Sequence, residues 1–140
     1  MVEDDSALRE FIVGLVTRIG YIADEAANGQ EAIARLPRYS YDLILCALRM
    51  PTMNGPAFYC EIQSRYPGAG LQIIFMTAHA ELHEYPRFLT AVGAPVLRKP
   101  FSIRRTSSCD RQPGPYVLTI IGTSTSRGRK SGITLALGVP

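Results

Sequence analysis

The chain has 140 residues, 46% apolar and 19% charged, enough for one globular domain with a single core and no need of disulfides. No apolar run reaches the roughly 18 residues that a membrane helix requires. Acids begin at Glu3, so no basic-then-apolar signal pattern opens the chain, and a cytoplasmic location is expected. Cys46, Cys60 and Cys109 are scattered without metal or redox spacing and read as free thiols in a reducing compartment.

Leu8, Ile12, Leu15 and Ile19 recur at helical spacing and predict a first amphipathic helix. Tyr21–Ala27 reads as a short extended segment. Asn28, with Glu31 three residues on, forms a capping box for a second helix that buries Ala32, Ile33 and Leu36 and stops at Pro37. Leu43–Ala47 is a continuous apolar run, the pattern of a strand covered on both faces. Gly55-Pro56 opens a third helix with proline in its first turn and Phe58 and Ile62 on the inward stripe. Gln72–Met76 reads as another buried strand and Glu81–Val92 as a helix interrupted by Pro86. Val96-Leu97 begins a last strand ending at Lys99-Pro100.

Alternating strands and helices imply a parallel sheet with helices on both faces, and such sheets place their sites at the carboxyl ends of the strands. Thr77 and Lys99 each follow a strand, as does Glu3-Asp4 if a strand precedes it. These residues are therefore expected to converge. Cys46 is one residue from Ala47 and, by strand alternation, faces away from whatever Ala47 faces. It reads as a small buried hydrophobe rather than a nucleophile.

Four separated signals carry a family resemblance over most of residues 1–101. They are Glu3-Asp4, Met50-Pro51 with Gly55, Thr77-Ala78, and Lys99-Pro100-Phe101. In this order and at these separations they resemble the receiver domain of two-component phosphorelay systems. The resemblance implies an α/β, doubly wound, flavodoxin-like (βα)5 fold with parallel strand order 2-1-3-4-5. In that family the phosphoacceptor Asp stands three residues before Met-Pro, and here that position is Ala47.

The resemblance also implies roles. Phosphoryl transfer needs the equatorial oxygens neutralised and the reacting atoms held in line. Mg²⁺ would sit between Glu3, Asp4 and the backbone carbonyl of Arg49. Lys99 would pair with one phosphoryl oxygen and Thr77 would hydrogen-bond another as a switch. Val96 stands where many members carry a mobile aromatic. With Ala47 the acyl phosphate cannot form, and a hard cation loses one carboxylate, so Mg²⁺ binding is expected to be weak. No catalytic residue, and no enzyme activity, is expected. The runs 93–101 and 54–58 resemble the C-terminal receivers of hybrid sensor histidine kinases.

Two departures concern the fold. Only Met1-Val2 precede the acidic pair where about four apolar residues are usual, so the first strand reads as truncated. Ser102–Pro115 shows no helical period after Ile103, which makes the last helix doubtful. Charge shifts at the same place: residues 1–101 hold nine basic and eleven acidic side chains, residues 102–140 six basic and one acidic. The expected division is a receiver-like unit, 1–101, and a basic Ser/Gly/Pro/Arg-rich tail, 102–140, without fixed structure.

Within that tail, Gly122–Ser131 imitates a phosphate-binding loop but has the wrong spacing. Arg127, Arg129 and Lys130 lack a recognition helix or stacking platform, so no specific nucleic acid and no membrane partner is expected. His79 and His83, four apart, have no further metal ligand nearby. The expected function is a receiver-like signalling module, unable to be phosphorylated, that binds a histidine kinase or another phosphorelay protein. The alternative is a non-functional remnant of a hybrid kinase or response-regulator gene, marked by the clipped first strand and the foreign tail.

Overall fold

The computed structural model describes residues 1–18, 20–68, 71–78 and 84–100 in full, with the backbone of 102–106, 117–123 and 130–136. The elements are α1 (Ser6–Arg18), α2 (Gly29–Arg35), β1 (Leu43–Ala47), α3 (Gly55–Arg65), β2 (Gln72–Thr77), α4 (Pro86–Val92) and β3 (Val96–Arg98). They are followed by β4 (Ser102–Thr106), β5 (Val117–Thr123) and β6 (Lys130–Ala136).

β1, β2 and β3 pair in parallel, with Ala47 opposite Met76 and Thr77 opposite Arg98. Period-2 alternation sends successive side chains to opposite faces. Ile44, Cys46, Ile73 and Phe75 pack with Ala32, Ile33, Phe58 and Ile62 of α2 and α3. Leu45, Ile74, Met76 and Leu97 pack on the other face with Ile12 of α1. Helices on both faces of a parallel sheet are the flavodoxin-like α/β arrangement.

Val2 stands in the position of the first strand. Val2 forms parallel bridges to Ala26 on one side and Cys46 on the other. Its N–H donates to Leu45 O at 2.8 Å, and its carbonyl accepts from Ala47 N at 2.9 Å. Two residues thus suffice to join the extended segment ending at Ala26 to β1.

Local sequence explains the helix starts. The Asn28 side chain accepts from Glu31 N at 3.0 Å, while Glu31 Oε2 accepts from Ala27 N at 3.0 Å, one residue earlier than in the usual reciprocal box. Asn54 caps α3 by accepting from Ala57 N at 2.9 Å. Pro86 occupies the first turn of α4, where its missing N–H leaves no ladder bond unmade. Residues 81–83 of the helix expected from sequence lie outside the described residues.

β4, β5 and β6 form a separate antiparallel sheet, with Ile103 opposite Ile120 and Ile120 opposite Ile133. β-branched residues at paired positions favour extended, laddered backbone. Lys130 and Ser131 begin β6, opposite Thr123 and Gly122. A phosphate-binding loop would need a helix there, so that imitation is dismissed on geometry as well as spacing.

Candidate functional site

The residues singled out from sequence gather at the carboxyl ends of the parallel strands. Glu3 follows Val2, Ala47 ends β1, Thr77 ends β2, and Lys99 follows β3. Backbone bonds fix their spacing: Ala47 N donates to Val2 O at 2.9 Å, and Lys99 N to Thr77 O at 2.8 Å. The Lys99–Pro100 peptide bond is cis.

Glu3 and Lys99, 96 residues apart in sequence, form the central pair: Lys99 Nζ lies 2.6 Å from Glu3 Oε2. The Glu3 side chain is 2% exposed. Burial pushes its carboxyl above the ordinary range, and the opposing pull of Lys99 only partly offsets this. Thr77 is fully buried, and its Oγ1 donates to Ala78 O at 3.0 Å. Asp4 and Arg49 are exposed, at the rim rather than within the buried pair.

Ala47 is 2% exposed and, contrary to the alternation expected from sequence, packs in the same cluster as Cys46, shared with α2 and α3. The loop after β1 returns tightly over it: Gly55 N donates to Leu48 O at 2.9 Å, and a Cβ at Gly55 would lie 2.8 Å from Ala47 O. Glycine is required there by the close approach of two backbones. Neighbouring Cys46 is fully buried, with its Sγ 3.3 Å from Ala47 O, and burial pushes the thiol pKa strongly up. It stays protonated and unreactive at neutral pH.

Arg9 was not anticipated. From the first turns of α1 its Nη1 donates to Glu3 O at 2.7 Å and to Asp4 O at 3.4 Å, while Nε lies 3.4 Å from Glu25 Oε2. It clamps the acidic turn from beneath. Contacts to backbone carbonyls leave no spacing signature, though an Arg six residues after an acidic pair at a helix start was a clue. His79, His83, Phe101 and Cys109 lie outside the described residues.

The residues present fit Mg²⁺ poorly. A hard divalent cation seeks six or more oxygens. Here Ala47 offers a methyl group, and Glu3 already holds an ammonium. Among the described residues no three His, Cys, Asp or Glu side chains come together as a metal-binding group.

A family model for the response regulator receiver domain matches residues 1–108. The chain belongs to the response regulator receiver family. The DNA-binding transcriptional regulator NtrC of Salmonella typhimurium is 30% identical over 133 residues, covering 89% of this chain and 28% of NtrC. This receiver therefore spans little more than a quarter of that regulator. The chemotaxis protein CheY4 of Vibrio cholerae superposes with a TM-score of 0.60 at 30% identity, covering 72% of this chain and 84% of that one. TrrA of Thermotoga maritima, solved in complex with Mg²⁺-BeF, gives a TM-score of 0.56 at 27% identity, covering 68% of this chain and 78% of TrrA. Receiver domains serve two-component phosphorelay signalling, in which they meet histidine kinases and phosphotransfer proteins and are generally not enzymes themselves. No helix among the described residues is long and apolar enough to cross a membrane.

Proposed function

We propose that this receiver takes no phosphoryl group at the end of β1 and acts by binding other phosphorelay proteins. One observation carries the reading: Ala47, a methyl group, ends β1 beside the Glu3–Lys99 pair, where the family pattern calls for a carboxylate. Neither a methyl nor a buried protonated thiol can attack phosphorus. Lys99 is held by Glu3, so the cleft keeps its internal charge pairing without a phosphoryl group. Thr77 and Lys99 are remnants of the switch and phosphate contacts. Glu3, Asp4 and the Arg49 carbonyl are a weakened cation site.

Several finer points belong to the same proposal. The strand order is 2-1-3-4-5, supported by the parallel bridges of Val2 to Ala26 and Cys46. The receiver unit ends near Phe101 and a basic segment follows, supported by the change from a parallel to an antiparallel sheet. The segments 93–101 and 54–58 ally the chain with receivers of hybrid sensor kinases. The protein works in the cytoplasm, on a histidine kinase or another phosphorelay protein, with no specific nucleic acid or membrane. The remnant reading is less favoured, because the Val2 bridges and the Glu3–Lys99 pair hold the sheet end together.

The test is competition. A histidine kinase carrying radiolabelled phosphate is mixed with its intact receiver, with and without this chain in excess. The expected result is slower transfer to the intact receiver with no label on this chain. Label on this chain, or unchanged transfer across a panel of kinases, contradicts the reading.

A further inference from the structure

We propose that a groove at the amino end of the parallel sheet binds a small, uncharged, planar lactam (a ring with adjacent N–H and C=O) through the backbone of Ile73. The groove has a volume of about 400 Å³ and lies between α3, α4 and the starts of β2 and β3. It is at the opposite end of the strands from Glu3 and Lys99.

Ladder register leaves the Ile73 peptide groups open. In a parallel sheet, alternate residues of a central strand bond to the neighbours on its two sides. Met76 O accepts from Leu48 N at 2.9 Å, so the even-numbered residues of β2 face β1. Phe75 N donates to Pro95 O at 3.0 Å and Thr77 O accepts from Lys99 N at 2.8 Å, so the odd-numbered residues face β3. Ile73 is the next odd residue, one rung before β3 begins at Val96. In that register its carbonyl meets residue 95, a proline with no N–H to donate. Its N–H would donate to Gly93, but Gly93 caps α4 in the left-handed region at φ 62° and no such bond forms. Ile73 is 6% exposed, and among the described residues neither group has a partner. Buried backbone groups rarely go without one.

The surroundings select the ligand. Leu71, Val92 and Pro95 supply apolar sides, and Tyr59 an aromatic wall. The Tyr59 ring is held by edge-on contacts to Phe75 and Phe88, with centroids 6.2 and 5.8 Å away. Gln63 and Gln72 are exposed at the mouth. None of the described lining residues carries a charge, so nothing there would offset the desolvation of a phosphate or carboxylate. A donor and an acceptor side by side on one residue match a cis amide, and a secondary amide is held cis only within a ring. A peptide strand would need several rungs, whereas one is open between Gln72 and the start of β3. Apolar walls around a few fixed polar groups are the composition of a small-molecule site.

The probe is quinolin-2-one, titrated into the isotope-labelled full chain and followed by amide NMR shifts. Saturable shifts centred on Ile73 are expected. N-methylquinolin-2-one keeps the ring and the carbonyl but lacks the donor, and should bind about tenfold more weakly. Pro95→Ala supplies the missing N–H, closes the rung and should weaken quinolin-2-one binding about tenfold while the chain still melts cooperatively. Should that variant unfold, the two probes on the unaltered chain decide the matter alone. No saturable binding, equal affinity for the two probes, or shifts centred away from Ile73 overturns the proposal. Undiminished binding by a folded Pro95→Ala chain overturns it as well.

Discussion

Thr52 sits in the loop after β1 at φ 68°, the left-handed region that β-branched residues avoid, and it is exposed. An L-residue there costs about 1–2 kcal/mol, part of which glycine returns as unfolded-chain entropy. Thr52→Gly should therefore raise the unfolding free energy by about 0.5–1 kcal/mol in urea melts. An unchanged or lower value would show that the loop holds Thr52 without strain. Glu3 gives a pH signature. The folded state holds the Glu3 proton more tightly than the unfolded chain does. Unfolding free energy therefore falls as pH rises from the ordinary value near 4.5 through the raised folded value, and the loss is complete above it. Glu3→Gln has no such proton. The difference in stability between the two proteins, followed from pH 4 upward (about the unperturbed carboxylate value), should shift in favour of the Gln variant. Parallel pH profiles would contradict the raised carboxyl.

At the level of elements, α3 places the returning loop over Ala47, and its start depends on Asn54, whose side chain caps Ala57 N at 2.9 Å. Asn54→Ala should cost about 1 kcal/mol of stability, read as a lower urea midpoint at constant slope. No loss would mean that Pro56 and the Gly55 approach set the helix alone. These starts were legible in sequence because caps and prolines act within four residues. The apolar runs of β1 and β2 were legible because strands covered on both faces carry no polar alternation. β4 and β6 were not legible, because neither carries a continuous apolar run and their partners lie at distances that no local period reveals. At the site, the strand-end positions of Thr77 and Lys99 followed from alternation alone. The 2.6 Å pairing of Glu3 with Lys99 and the Arg9 clamp did not, since both depend on three-dimensional closure.

Across the whole molecule, a parallel sheet packed on both faces holds Glu3 and Lys99 together at its carboxyl end, 2.6 Å apart. Ala47 lies in a well-packed cluster rather than a loose loop, so a side chain introduced there is carried by rigid elements. On the proposed reading, Ala47→Asp restores a carboxylate at the end of β1. It should gain covalent phosphate from a small phosphodonor with Mg²⁺, provided that its melt remains cooperative. The unaltered chain tests the central claim most directly, by intact mass after incubation with the same phosphodonor and Mg²⁺. The account predicts an unchanged mass. A base-labile gain of one phosphoryl group on the unaltered chain would contradict it.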